Sequence, residues 1–244
     1  MDSCCAEGHT HSGTIQGSVS TIAGRPAYVA KSPEYHGKAL LLLHDVAGWE
    51  SSNNRLLADY FAAEMKALVV LPDFFDGDAV PASLFSIPGS FDIQAWVKKH
   101  SNKRDDFRSM VHVVEALKTE HGASSVGVIG YCWGGWGTLE LGHTDLVKAV
   151  AVCHPSLLNM PRDVEALKQP ALFLCAEKDQ VFPQETSRKQ AEEILKPKDL
   201  EYKFVDYPGT SHGFAARGNP NDEVVQKAYL DARQQAVQWF NHYL

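Results

Sequence analysis

The sequence predicts an α/β domain with a mostly parallel central sheet and helices on both faces. Short apolar runs such as ALLLLHD and ALVVLPD alternate with helix-like segments along most of the chain, which is the order of repeated strand-helix-strand units. These runs are almost continuously apolar, as is typical of strands that are covered on both faces. With 244 residues, 44% hydrophobic and 22% charged, the chain has the size and composition of one globular α/β unit.

The strands and helices follow from local patterns. The segment TIQGSVSTIAGRPAYVA alternates around a Gly-Arg-Pro turn and predicts an antiparallel hairpin at the sheet edge. The remaining strands are predicted at ALLLLHD, ALVVLPD, SVGVIGY, KAVAVCHP, PALFLCAEKD and LEYKFVDYP. Apolar periodicity predicts helices over roughly 54–65, 105–121, 184–195 and 222–244. We expect one domain over residues 14–244 and a flexible polar terminus over residues 1–13.

One stretch interrupts the alternation of strands and helices. Between Phe74 and His100, prolines and glycines break up apolar residues such as Phe85, Phe91 and Trp96. A long irregular insertion in a compact domain is usually functional. We therefore expect a loop or short-helix cap beside the active site.

Charge and hydropathy exclude several classes of partner. The net charge of -7 opposes binding to a phosphate backbone, so no nucleic-acid partner is expected. The N-terminus, MDSCCAEGHTHSG, lacks the order of a secretory signal, and no apolar run approaches membrane-spanning length. We expect a cytoplasmic protein with no membrane partner.

The cysteines show no disulfide framework. They are Cys4, Cys5, Cys132, Cys153 and Cys175. Cys153 and Cys175 end apolar runs, where cysteine usually acts as a small hydrophobe. The adjacent cysteines near His9 and His11 resemble a metal cluster, but a polar chain terminus is normally frayed. We expect free thiols, no metal and no cofactor.

The most informative stretch is VGVIGYCWGGWGTLELG. A buried strand leads into Gly130-Tyr131-Cys132-Trp133-Gly134 and then into a helical pattern, which predicts a nucleophile elbow with cysteine as the nucleophile. Such a tight turn needs small neighbours, and the following helix N-terminus favours a thiolate. The backbone N–H of Trp133 points toward a developing oxyanion. A phosphate-binding loop is the alternative, but it would open the first unit or carry a Lys-Ser/Thr pair. The elbow indicates an α/β-hydrolase fold.

The elbow requires an acid and then a histidine later in the chain. Asp179 follows the strand PALFLCAE, and His212 follows the last strand on a glycine-flanked loop. His44, His143 and His154 are rivals, but only His212 satisfies the chain order. The sequence therefore predicts the triad Cys132, Asp179 and His212.

A second string, Gly209-Thr210-Ser211-His212-Gly213, matches G-x-S-x-G literally. Glycines and a proline follow it, where an elbow needs a helix, and no later strand remains to supply an acid and a histidine. Ser211 is therefore predicted to be a loop residue, not a nucleophile.

Taken together, the segments LLLHDVAGW, LPDFFDG, GYCWGG, AEKDQVFP and SHGFAAR resemble the dienelactone hydrolase family from about Leu40 to the C-terminus. The resemblance implies a contact between Asp45 and the resting thiol, and an oxyanion-hole amide from Val46. It also implies that Arg217 holds a substrate carboxylate. No second arginine aligns securely. Further cationic candidates are Lys98, Lys99, Lys103 and Arg104.

The resemblance implies a cofactor-free hydrolase of a small ester or lactone, anionic in the case of dienelactone, that works through a thioester on Cys132. An esterase or thioesterase of another substrate class, in secondary metabolism for example, stays open, as does an inactive small-molecule-binding scaffold. A monomer and a homodimer are both compatible with the sequence.

Overall fold

The central sheet has eight strands in the order β1-β2-β4-β3-β5-β6-β7-β8. The structure is a computed structural model that describes residues 8–85, 91–100 and 103–244. The strands are β1 (Ser18–Ile22), β2 (Arg25–Lys31), β3 (Lys38–Leu43), β4 (Leu68–Pro72), β5 (Ser125–Tyr131), β6 (Ala149–Cys153), β7 (Ala171–Lys178) and β8 (Tyr202–Ser211). The first two strands pair antiparallel at one edge, β2 pairs antiparallel with β4, and the other neighbours are parallel. The predicted fold class and edge hairpin are confirmed.

Helices cover both faces of this sheet. They are α1 (Ser52–Met65), α2 (Ile93–Lys99), α3 (Lys103–Thr119), α4 (Gly134–Gly142), α5 (Arg162–Glu165), α6 (Lys189–Leu195), α7 (Phe214–Arg217) and α8 (Glu223–Tyr243). One apolar core contains buried residues of α3 and α4, such as Met110 and Trp136. A second core contains buried residues of α1 and α8, such as Phe61 and Phe240. The sheet is thus buried on both sides, which explains the continuously apolar strands.

The irregular stretch forms a cap. It contains a 3-10 helix (Ala82–Leu84) and α2, whose N-cap Asp92 accepts hydrogen bonds from the amides of Gln94 and Ala95. The indole of Trp96 donates to the carbonyl of Asp78 at 2.8 Å, which ties α2 to the preceding loop. The prediction of a short-helix cap is confirmed for the described residues.

Two predicted segments differ in detail. The helix predicted over 184–195 begins as one π-helical turn (Gln184–Arg188) and continues as α6. Strand β8 runs through Pro208 to Ser211, because it lies at the sheet edge, where proline costs no ladder hydrogen bond. The prediction that Ser211 is a loop residue is therefore wrong.

A short helix also forms where none was predicted. Gly213 has φ 92, and its carbonyl accepts from the amides of Ala216 and Arg217 to close the single turn of α7. Four residues are too few to show helical periodicity, so the pattern after His212 gave no sign of it.

Part of the N-terminal segment contacts the body of the domain. The amide of His9 donates to the carbonyl of Arg217 at 2.9 Å, and the ring of His11 bonds the carbonyl of Gly218 at 2.9 Å. Asn53 donates to the carbonyls of His9 and Ala216. Residues 1–7, including both N-terminal cysteines, lie outside the described residues.

The described residues contain neither a cluster of metal-binding side chains nor a membrane-spanning helix. Within 8–85, 91–100 and 103–244, there is no group of three or more His, Cys, Asp and Glu side chains that could hold a metal ion. No helix in these ranges is long and apolar enough to cross a membrane.

Candidate active site

Cys132 lies in the predicted elbow, between β5 and α4. Its φ of 49 is in the left-handed region, which costs free energy for a residue with a side chain. A Cβ on Gly130 would lie 2.1 Å from the Thr138 hydroxyl oxygen, and one on Gly134 would lie 2.3 Å from the Leu43 carbonyl oxygen. Glycine is therefore required at both positions, and the sequence prediction of small flanking residues is supported.

A chain of polar groups leads from the thiol to a carboxylate. Cys132 Sγ lies 3.4 Å from the hydroxyl oxygen of Ser156, and this oxygen lies 3.4 Å from His212 Nε2. On the other side of the ring, His212 Nδ1 lies 2.9 Å and 3.0 Å from the two carboxylate oxygens of Asp179. The structure thus brings the three predicted triad residues together and adds Ser156, which the sequence analysis did not identify.

Asp179 is placed by the turn after β7. One carboxylate oxygen accepts from the amides of Val181 and Phe182 at 2.8 Å and 3.1 Å, which fixes its orientation. Burial opposes ionisation of Asp179, but the hydrogen bond and charge of His212 and these two amides lower its pKa. The carboxylate is therefore ionised beside the imidazole.

His212 is buried, and its protonation is governed by its partners. Burial lowers the pKa of the ring, but the charge of Cys132, the Asp179 hydrogen bond and a Cys132 hydrogen bond raise it to about 10. These contacts thus favour the protonated form of the His212 ring.

The rival histidines have other surroundings. His154 packs edge-to-face on His212 with ring centroids 4.9 Å apart, and neither of its buried ring nitrogens has a hydrogen-bond partner among the described residues. His44 Nδ1 bonds the carbonyl of Asp45 at 2.9 Å. His143 Nε2 bonds the carbonyl of Asp163 at 2.8 Å. Of the four histidines, the one chosen by chain order is the one paired with the carboxylate of Asp179.

The two residues predicted to supply the oxyanion-hole amides line the same pocket as the thiol. Trp133 is the N-cap of α4, where N–H groups have no acceptor within the helix. Val46 and Trp133 line one small pocket together with Cys132, Ser156, Ile93, Val97 and Leu157. Ile93 and Val97 come from the cap helix α2, so this helix borders the pocket of the thiol.

Asp45 and Arg217 contact each other. Arg217 Nη1 lies 2.5 Å from one carboxylate oxygen of Asp45, and both side chains are buried. The other oxygen accepts from the amide of Ala47 and from the side chain of Asn54, at 3.1 Å and 3.0 Å. Asp45 is thus held by a buried ion pair and by these two hydrogen bonds, and its contact with the thiol stays a prediction.

The other cationic candidates lie on the surface. Lys99 pairs with Asp78 at 2.6 Å, and Arg104 lies 3.7 Å from the Asp105 carboxylate with most of its side chain exposed. Lys98 is also exposed. The side chain of Lys103 lies outside the described residues. None of these side chains lines the pocket around the thiol, as far as the described residues show.

The remaining described cysteines are unlike Cys132. Burial raises the pKa of the Cys153 and Cys175 thiols above the ordinary value, so both stay protonated. This agrees with their predicted role as small hydrophobes.

The fold and the elbow define an α/β-hydrolase, and comparison with known proteins names the family. Residues 26–244 match the Dienelactone hydrolase family, and the chain belongs to it. "Hydrolase tropI" of Talaromyces stipitatus is 34% identical, over 99% of this chain and 96% of that one. The human "Carboxymethylenebutenolidase homolog" is 30% identical, over 89% of this chain and 87% of that one.

Solved structures agree on the fold. A putative dienelactone hydrolase from Klebsiella pneumoniae superposes with a TM-score of 0.76 at 20% identity, covering 95% of this chain and 100% of that one. The family and its curated members show that this chain is a hydrolase of carboxylic esters or lactones that acts on small molecules.

Proposed function

We propose that the chain hydrolyses a small ester or lactone through a thioester on Cys132, with His212 as base and acid and Asp179 as its orienting carboxylate. The observation that carries this proposal is the continuous sequence of contacts from Cys132 Sγ through Ser156 and His212 to Asp179. Nucleophile, base and orienting acid within hydrogen-bond reach are the signature of covalent acyl transfer.

The reaction proceeds in two halves. The proton of Cys132 moves to His212, the thiolate attacks the carbonyl carbon, and the amides of Trp133 and Val46 stabilise the negative oxygen. The imidazolium returns its proton to the leaving alkoxide, which leaves a thioester. His212 then takes a proton from water as the hydroxide attacks the thioester carbonyl. The C–S bond breaks, the acid leaves, and the imidazolium returns its proton to the Cys132 sulfur.

The resemblance to dienelactone hydrolases favours a small unsaturated lactone that bears a carboxylate as substrate. We propose that Arg217 holds this carboxylate. Its position supports the proposal, because it lies just after the catalytic histidine and Asp45 already shows that the guanidinium binds a carboxylate there. We also propose one domain over residues 14–244 that acts in the cytoplasm as a monomer or homodimer.

A panel of neutral esters, thioesters and carboxylate-bearing lactones, incubated with pure protein, tests the function. Turnover of carboxylate-bearing lactones supports the substrate proposal, and Arg217→Ala should weaken these more than neutral esters. Turnover of neutral esters or thioesters alone would assign another substrate class. No turnover of any member, with no acylated Cys132 in the mass spectrum, would contradict the proposal and favour a binding scaffold.

A further inference from the structure

A cavity of about 320 Å³ adjoins the pocket of the thiol. It lies between the loops that follow β6 and β7, and its apolar lining consists of Leu157, Leu158, Met160, Val181 and Phe182. We propose that this space, the β6–β7 cavity, binds an uncharged apolar group of the ester substrate. This inference rests on the proposed nucleophile and names the class of substrate that its site accepts.

The cavity and the thiol pocket share a side chain. Leu157 lines both spaces. The preceding residue, Ser156, has its hydroxyl oxygen 3.4 Å from Cys132 Sγ, so the cavity begins next to the nucleophile. An ester whose carbonyl carbon lies at the thiol can therefore extend past Leu157 into the cavity.

The loop after β7 connects the cavity to the triad. The amides of Val181 and Phe182 donate to one carboxylate oxygen of Asp179 at 2.8 Å and 3.1 Å. Phe182 is 2% exposed and its ring stacks on Phe173, with ring centroids 6.4 Å apart, so this part of the lining is held in place. Because β6 and β7 are parallel neighbours, the loops after them lie at the carboxyl edge of the sheet, where open α/β folds bind their ligands.

The sizes of the two spaces favour a shared ligand. The pocket at the thiol has a volume of about 10 Å³, which is room for about one water molecule. An ester bound at Cys132 must therefore place most of its atoms elsewhere. Binding pockets for small molecules start at about 300 Å³, and the β6–β7 cavity reaches this size by itself.

The lining selects against charge. Among the described residues, neither space is lined by a Lys, Arg, His, Asp or Glu side chain, and the polar side chains of the cavity, Gln180 and Ser187, are uncharged. A carboxylate in the cavity would lose water without gaining a cation, which is costly, whereas an apolar group gains from leaving water. Arg217 lines neither space, so the carboxylate proposed for it belongs to another part of the substrate.

The backbone of Leu157 is strained. Its φ is 61, in the left-handed region, which costs free energy for a residue with a side chain and is found most often at functional sites. Glycine would adopt this conformation without strain. A glycine, however, would leave the junction of the two spaces without an apolar side chain.

Two series of neutral esters test the cavity. One lengthens the acyl chain of para-nitrophenyl esters from acetate to hexanoate, and the other lengthens the alcohol of alkyl acetates. We expect kcat/KM to rise by at least about tenfold along one series, since each methylene that enters the cavity contributes about fourfold. The para-nitrophenyl half-ester of adipic acid has the length of the hexanoate ester with a terminal carboxylate, and should show no gain over acetate.

Substitutions of Leu158, which lines the cavity but not the thiol pocket, locate the effect. Leu158→Trp fills the cavity and should abolish the gain with chain length. Leu158→Lys places a cation there and should raise kcat/KM for the adipate half-ester relative to the hexanoate ester. Leu230→Trp, at a leucine of α8 that is 40% exposed, is the matched control and should keep the wild-type ratio.

The outcomes separate the two proposals. If no ester leaves an acyl group on Cys132 in the mass spectrum, the proposed function fails. If the acetate ester acylates Cys132 but neither series gains with length, or the adipate half-ester reacts as well as the hexanoate ester, the nucleophile stands and the cavity proposal is contradicted. A gain with length that persists in folded Leu158→Trp would also contradict it, because the apolar group would then bind elsewhere.

Discussion

His212 and His154 are neighbouring buried imidazoles with opposite chemistry. Their ring centroids are 4.9 Å apart, and burial lowers the pKa of both. Contacts with Cys132 and Asp179 overcome burial and raise the pKa of His212 to about 10. For His154, burial and the charges of His212 and Arg217 outweigh a backbone hydrogen bond, so its pKa stays well below the usual value. The side chains in contact with a buried histidine, and not its burial alone, thus decide whether its pKa is raised or lowered.

Replacing either member of the Asp179–His212 pair should have the largest effect on turnover. Asp179→Asn and His212→Asn should each lower turnover by about 10⁴, by analogy with the serine triad, because the ring loses its orientation or is absent. The measurement is kcat on the best ester of the panel, with folding checked by circular dichroism.

His154→Phe is the matched control for these variants, since it replaces the neighbouring ring without touching the acid. We expect it to lose far less turnover than His212→Asn. Comparable losses of kcat in His154→Phe and His212→Asn would contradict the difference in role between the two histidines.

Arg217 contributes to the pKa difference between the two histidines, because its charge lowers the pKa of His154. Its guanidinium also pairs with buried Asp45. Arg217→Ala leaves that carboxylate buried without its cation and should reduce the free energy of unfolding by about 3–5 kcal/mol. Urea unfolding measures this. The double variant with Asp45→Asn should recover part of the loss, whereas additive losses would show that the pair does not couple.

The low pKa of His154 predicts a smaller, pH-dependent effect. Its folded pKa lies below the unfolded value of 6.5, so unfolded chains bind a proton below pH 6.5 that the folded protein does not take up. His154 therefore costs stability as pH falls, by up to about 1.4 kcal/mol per pH unit. His154→Phe should remove this part of the acid sensitivity relative to wild type, as urea midpoints between pH 7 and pH 5 would show. If the urea midpoints of wild type and His154→Phe fall in parallel with pH, then His154 is protonated in the folded state.

The sequence was sufficient for features that depend on order along the chain. The parallel strands, the edge hairpin and the proximity of Cys132, Asp179 and His212 follow from apolar runs, glycine positions and the order of these three residues along the chain. Each of these signals is local, or depends only on which strand end a residue follows.

Contacts between segments that are distant along the chain could not be predicted from the sequence. Ser156 follows β6 in a CHPS string whose proximity to the thiol depends on left-handed dihedral angles at residues with side chains. The ion pair joins Asp45 to Arg217 across 172 positions of sequence, and α7 is a single turn. The one sequence signal for Ser156 was its place just after a strand end, which many residues share.

We expect Cys132, and not Ser211, to accept the acyl group. The direct measurement is mass spectrometry of protein quenched during ester turnover, together with the activity of Cys132→Ala and Ser211→Ala. The expected result is an acyl group on Cys132, no turnover by Cys132→Ala, and at most about a tenfold loss of turnover in Ser211→Ala from a disturbed neighbouring His212. An active Cys132→Ala enzyme, with the acyl group on Ser211, would contradict it.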